Sequence, residues 1–183
     1  QTAADFSRKG GWDDFSPKLN AADAALLSFD LKFNRALTSL DLSKNSIVVS
    51  RGGGWTHNPN AFWKYVHTDG RRTKERPVGV EFELDLSGIQ ALAGALKVNR
   101  SLNSLGLCNN NLGEASETIA QAVLQHPAME MFCKIPMKKM REDSLAELDL
   151  SEKGIGAHGA MVVAHLLEFS RSLTALDMRC NAL

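Results

Sequence analysis

Four copies of one phrase, Leu-x-x-Leu-x-Leu-x-x-Asn-x-Leu, constrain the fold of this chain more than any other feature. Two copies lie 28 residues apart: Leu145-x-x-Leu148-x-Leu150-x-x-Lys153-x-Ile155 and Leu173-x-x-Leu176-x-Met178-x-x-Asn181-x-Leu183. Between them, residues 156–169 carry apolar side chains at helical spacing. The other copies run Leu37-x-x-Leu40-x-Leu42-x-x-Asn45-x-Ile47 and Leu102-x-x-Leu105-x-Leu107-x-x-Asn110-x-Leu112. A strand-and-helix unit of this size cannot bury its apolar face alone, so neighbouring units must stack. The expectation is an α/β solenoid, a right-handed horseshoe segment with a parallel concave sheet and helices on the convex side.

The phrase also dictates which side chains go where. Alternation along a strand turns each leucine inward and the intervening residues outward. The outward set, which includes Asp41, Glu147, Asp149, Asp177 and Arg179, holds no aromatic residue. Strong protein contacts need large anchors, so a weak or unused concave surface is expected. Asn45, Asn110 and Asn181 follow the strands, where a side-chain amide can satisfy backbone groups of adjacent loops. Lys153 takes that place once and cannot accept a hydrogen bond, which predicts a local rearrangement. The helices keep one register. Leu27, Leu31 and Phe33 form the inward side of a helix capped by Asn20, and Leu27 and Leu31 correspond to Leu92 and Leu96 and to Val163 and Leu167.

Irregular spacing marks where the array is interrupted. Leu37 and Leu102 are 65 residues apart, which places an insertion at residues 48–84. After a helix at 114–125, Met129–Cys133 reads as an atypical strand, and residues 128–144 as an atypical repeat without a helix, since Pro136 has no N–H to donate. Met129, Met131, Met137 and Met140 suit the uneven gaps that such a repeat leaves, the alternative being an adaptable binding surface. Residues 1–19 show no period and read as an irregular N-terminal lead that caps the repeat domain of residues 20–183. The last phrase stops after its strand, which predicts a chain that continues past Leu183 and an insertion that touches another subunit.

On these phrases and the 28-residue unit, residues 20–47 and 85–183 resemble the ribonuclease-inhibitor-like subfamily of leucine-rich-repeat proteins. The run FCKIPMKKMREDSLAELDLSEKGIGAHGAMVVAHLL is similar to the leucine-rich-repeat arrays of unicellular eukaryotes. The resemblance implies a protein-binding scaffold, not an enzyme. It also implies an alternative, a regulator of catalysis like the GTPase-activating member of the subfamily, although the acidic tail of that member is missing and no motif matches its catalytic arginine.

Composition narrows the function classes. Lys plus Arg equals Asp plus Glu, so no overall field draws nucleic acid or an anionic membrane. Apolar runs are too short to span a bilayer. Cys108, Cys133 and Cys180 form neither a C-x-x-C nor an even framework, which favours reduced thiols and an intracellular location. Asn99-Arg100-Ser101 matches a glycosylation sequon, but Asn34-Arg35-Ala36 and Ser170-Arg171-Ser172 occupy the same joint before a strand, so repeat grammar explains it better. No metal, cofactor or small-molecule site and no catalytic constellation emerges from the residues.

The insertion holds two of the three tryptophans and the only tyrosine. Trp55, Phe62, Trp63 and Tyr65, with Arg71 and Arg72, are the types enriched at interface hot spots, and they are the candidate contact with a protein partner in a multi-subunit complex. The alternative is that these aromatics fold onto the repeats as a local core. Asp69-Gly70 predicts a hairpin, with Val78, Val80, Phe82, Leu84 and Leu86 alternating on the returning strand. Gly52-Gly53-Gly54 is a flexible bend, since no Gly-Lys-Ser/Thr follows it. His57 and His67 lack a nearby cysteine to complete a zinc set, and the basic run 71–76 suits a solvated loop tip.

Overall fold

The structure, a computed structural model, describes residues 3–6, 18–51, 64–68, 71–75 and 83–181. The chain forms two compact units, one of Gln1–Val49 with Leu86–Leu183 and one of Ser50–Asp85. It opens with β1 (Ala3–Asp5), α1 (Ala21–Phe33) and β2 (Ser39–Asp41). The insertion follows with β3 (Val49–Arg51), β4 (Lys64–Thr68), β5 (Arg71–Glu75) and β6 (Glu83–Asp85). Then come α2 (Ser87–Val98), β7 (Ser104–Gly106), α3 (Ser116–Leu124) and β8 (Met131–Phe132). The chain continues with α4 (Met137–Arg141), β9 (Glu147–Asp149), α5 (Gly156–Leu167) and β10 (Ala175–Asp177).

The larger unit is mixed α/β, with parallel strands and helices. One sheet has the order β1-β2-β7-β8, and β9 pairs with β10 in a second. The register lines up the phrases: Leu40 stands opposite Leu105, Leu105 opposite Phe132, and Leu148 opposite Leu176. Leu40, Leu42, Leu102, Leu105, Leu107 and Leu150 are all buried, in one cluster with Ile89, Leu92, Leu96, Ile119 and Val163 from the helices. Fully burying such a side chain is worth about 1.5–3 kcal/mol, which is what holds strands of two or three residues in place. Gly88 permits the close packing of α1 on α2, because a Cβ there would stand 2.6 Å from the Ala21 carbonyl oxygen.

Asn20 caps α1 as a capping box: its Oδ1 accepts from the Ala22 and Asp23 amides, and Asp23 accepts from the Asn20 amide at 3.0 Å. Leu31 is buried and Leu27 packs against the core, but Phe33 is 69% exposed. Two residues beyond Leu31 is the far side of a helix, and Phe33 packs there against Phe29, ring centroids 5.6 Å apart.

The lead also needs correction. Ala3-Ala4-Asp5 pairs in parallel with Ser39-Leu40-Asp41, so the lead contains a degenerate copy of the strand with Ala4 at the leucine position. The connection expected to lack a helix carries α4. Pro136 sits at its N-cap, where no N–H is needed, and its carbonyl accepts from the Met140 amide at 3.1 Å. Met137 and Met140 point this short helix into the core.

A second set of side chains secures the opposite ends of the strands. Asn99 Nδ2 donates to the carbonyls of Leu31 and Asn34 at 2.8 and 3.0 Å, and its Oδ1 accepts from the Ser101 and Leu102 amides. Asn99 is 1% exposed, so the sequon's asparagine is committed to this joint. Asn34 and Asp143 do the same for the amides that follow α1 and α5. We expect Asn99→Ala to lower the urea-unfolding free energy by about 2–4 kcal/mol, because it takes the side-chain partner from the buried Leu31 carbonyl and from the Ser101 and Leu102 amides, while the Asn34 carbonyl keeps the Ser101 hydroxyl. Asn34→Ala, at an exposed joint, should cost less than half of that in the same measurement.

Candidate functional site

The candidate partner residues all fall in the insertion. Strands β3 and β6 pair, bringing its two ends together. Strands β4 and β5 form an antiparallel hairpin with Thr68 opposite Arg71, which leaves Asp69-Gly70 as a two-residue connection. Tyr65 stands opposite Lys74 and His67 opposite Arg72. The returning strand is therefore Arg71–Glu75, not the later stretch that begins at Val78. Leu84 lies instead on β6, and Val78, Val80 and Phe82 fall outside the described residues. So do Trp55, Phe62 and Trp63, while Tyr65, Arg71 and Arg72 are placed on the hairpin by their backbone.

In the larger unit the asparagine ladder forms as expected. Asn45 Nδ2 donates to the Phe6 carbonyl at 2.9 Å, Asn110 Nδ2 to Leu42 at 2.9 Å, and Asn181 Nδ2 to Leu150 at 2.8 Å. Each amide thus reaches the carbonyl at the corresponding place on the neighbouring strand, and each also closes its own turn.

After β8 and after β9 the array has Met137 and Lys153 where an asparagine would stand, and the bonding changes. The chain reverses after β8 through a turn in which Cys133 and Lys134 are both left-handed, with φ of 47° and 69°. The Phe132 and Ile135 backbones close this turn with reciprocal bonds of 2.7 and 3.0 Å. Left-handed backbone costs a side-chain-bearing residue roughly 1–2 kcal/mol, and such turns usually carry Asn-Gly or Gly-Gly. Twisting at Cys133 turns its carbonyl away from the ladder, and its Sγ accepts the Leu107 N–H instead, at 3.2 Å. His158, from the first turn of α5, lies with Nε2 3.7 Å from that sulfur. The Leu107 backbone also bonds the His158 ring. One thiol and one imidazole therefore do here what a strand and an asparagine do elsewhere.

Both groups are closed off from solvent, Cys133 and His158 each being 1% exposed. Phe132 meets the imidazole edge-on at 5.9 Å. Burial pulls the His158 pKa down to about 4, against the favourable Leu107 bond, so the ring is neutral at physiological pH. Burial raises the Cys133 thiol well above its ordinary value, with Cys108 adding to the effect. The neighbouring Cys108 thiol is lowered, first by the hydrogen bond from Cys133, against burial and with help from the Lys134 charge. No sequence motif announced this cluster: Cys108, Cys133 and His158 are separated by 25 residues at each step. The one signal was Lys153 in place of asparagine.

Strands β9 and β10 line a groove of about 410 Å³ with Glu147, Leu148, Asp149, Leu176, Asp177 and Arg179, among others. Leu176 is 37% exposed in it, and Arg179 closes on Asp177 at 2.6 Å. That pairing, with the Arg179 amide, holds the Asp177 pKa down to about 2. Among the described residues no cluster of His, Cys, Asp and Glu can hold a metal ion, and no helix is long and apolar enough to cross a membrane. No family model matches the chain, and no curated protein matches it either.

The buried imidazole makes stability depend on pH. An unfolded histidine titrates near 6.5 and His158 near 4, so the unfolded chain binds the extra proton between those values. The contribution is complete above pH 6.5 and is lost as pH falls towards 4, on the order of 3 kcal/mol for this group. His126, lowered by burial and by Arg100, acts in the same direction. Urea midpoints measured at about pH 7 and about pH 4.5 should therefore diverge, and His158→Gln should flatten most of that slope while His126 preserves the remainder.

Proposed function

We propose that this chain is a non-enzymatic protein–protein interaction module, a scaffold or accessory subunit of a larger assembly. Its frame is a leucine-rich-repeat solenoid of the ribonuclease-inhibitor-like type, and Ser50–Asp85 is its contact. One observation carries this reading. Strands β2 and β7 pair in parallel with Leu40 opposite Leu105 although the whole insertion lies between them in sequence. The insertion is a compact unit of its own, so the pairing of the frame does not depend on it. A segment that contributes nothing to the register, yet holds two of three tryptophans, the tyrosine and a basic strand, is best explained by what it touches. The strands of the larger unit support the solenoid: β2, β7, β9 and β10 carry leucines in register, β7, β8 and β9 each lead into a helix, and the asparagines after β2, β7 and β10 each reach back to the strand before. Reduced, buried Cys108 and Cys133 support an intracellular setting.

The test is a deletion of Ser50–Asp85 with a short glycine-serine bridge. The shortened chain should still unfold cooperatively and keep its helical circular dichroism. A partner captured by the full chain and then purified should bind the deletion variant at least a hundredfold more weakly. In the full chain, Trp63→Ala, Tyr65→Ala and Arg72→Ala should each weaken the purified complex about tenfold or more in calorimetric titrations. Undiminished binding by the deletion variant overturns the reading. Stimulated GTP hydrolysis by a small GTPase would replace it with regulation of catalysis.

A further inference from the structure

Helices of the larger unit turn one side to the core, and the solvent side of α1 is apolar as well. Ala22, Leu26, Phe29 and Phe33 recur at steps of four, three and four, the spacing of a helix-packing seam. All four face solvent, and Leu26, Phe29 and Phe33 are 71%, 63% and 69% exposed. On α3 the exposed residues are Glu117, Thr118 and Gln121, as an ordinary surface helix requires. The complement of the α1 ridge lies on α2. The register that sets Leu27 beside Leu92 and Leu31 beside Leu96 also sets Leu26, Phe29 and Phe33 level with Ala91, Gly94 and Val98. Gly94 is a gap in that surface, since a Cβ built there would meet nothing within 4 Å. Charge follows the same plan. Ala21 packs on Gly88, so these two residues mark the facing flanks of α1 and α2. Asp30 and Lys97 each lie nine residues further on, about two and a half turns, and so occupy the two outer flanks, where both are exposed.

We propose that the outer faces of α1 and α2 form a two-fold interface between two copies of this chain, with Phe29 of each copy seated over Gly94 of the other. A two-fold axis running parallel to the helices sets α1 of one copy against α2 of the second at matching heights. Leu26 then lies over Ala91 of the second copy, and Phe33 over its Val98. The same rotation brings each Asp30 flank to the Lys97 flank of the second copy, two residues or about 3 Å apart along the axis. The ridge and its seat sit on one surface, so a single contact made twice satisfies both, and the assembly closes at two copies. Area supports the same occupant. Taking about 200 Å² for a large side chain, Leu26, Phe29 and Phe33 leave on the order of 400 Å² of apolar surface uncovered per copy. Two copies hide roughly 800 Å² from these residues alone, and Ala22, Val98 and the charged flanks carry the total to the roughly 1,200 Å² where specific interfaces begin. The interface uses no residue of Ser50–Asp85, so it stands apart from the partner contact proposed for that unit.

Sedimentation equilibrium of the full chain tests this from about 1 to 100 µM, the range in which an interface of this size dissociates. The expected result is a rise with concentration from one chain mass to two, and no further. Phe29→Asp should weaken the dimer about a hundredfold or more. Gly94→Leu separates a fitted surface from a sticky one. It adds apolar area, yet it should weaken association about tenfold or more, because its side chain fills the seat of Phe29. Phe29 is exposed and Gly94 has open space above it, so both variants should keep the circular dichroism of the unaltered chain. Asp30→Lys and Lys97→Asp should each weaken the dimer several-fold, and the two exchanges together should restore it. A single chain mass across the whole range overturns the proposal, as does a dimer that Gly94→Leu tightens or that Phe29→Asp leaves intact. If either of those variants fails to fold, the mass of the unaltered chain and the exchange of Asp30 with Lys97 decide the outcome.

Discussion

Strands of two and three residues cannot hold themselves, and this fold depends on how their backbone groups are served when the ladder runs out. Each strand contributes few hydrogen bonds, so the row of Leu40, Leu105 and Phe132 beneath the sheet supplies the attraction. Directionality comes from the ends. Asn45, Asn110 and Asn181 reach across at one end, and Asn34, Asn99 and Asp143 secure the other. A buried carbonyl or amide left alone costs about 1–3 kcal/mol, as much as one leucine contributes. Side-chain amides are therefore as necessary to the array as the leucines.

The same constraint explains the departure at β8. Here the chain turns back early, the β1-β2-β7-β8 sheet ends, and Leu107 has its own Asn110 but no second asparagine from the strand beyond, where Met137 stands. A thiol and an imidazole take over, both fully buried, and the backbone accepts two consecutive left-handed residues to place them. Such substitutions make this the most chemically distinctive place in the larger unit. Its stability is tied to the protonation of one ring, which the Cys133 sulfur and the Phe132 edge enclose.

The insertion follows a different logic. Its ends are drawn together by β3 and β6, and β4 and β5 fold back on each other, so it can be present without disturbing the parallel register of its hosts. Glu83-Leu84-Asp85 repeats the wording of Glu147-Leu148-Asp149, yet β6 pairs with β3 rather than entering the sheet. Identical strand wording thus met two different fates.

What the sequence determined by itself was the periodic part. Leucines at fixed spacing have one way to share a buried row, and that made β2, β7, β9, β10, the intervening helices, the atypical β8 and the asparagine ladder legible from Leu37 to Asn181. Hydrophobic period also carried Leu31, Leu92, Leu96 and Val163 into the core. The tertiary structure alone decided the rest, because those features depend on pairings between distant residues. A strand of Ala3-Ala4-Asp5 has no apolar signature and exists because β2 offers an open edge. The α4 helix forms directly after a proline because Met137 and Met140 have a core to enter. Cys133 meets His158 only because Met137, standing where an asparagine would, leaves the Leu107 backbone to be served by what the fold brings near from residues far apart in sequence.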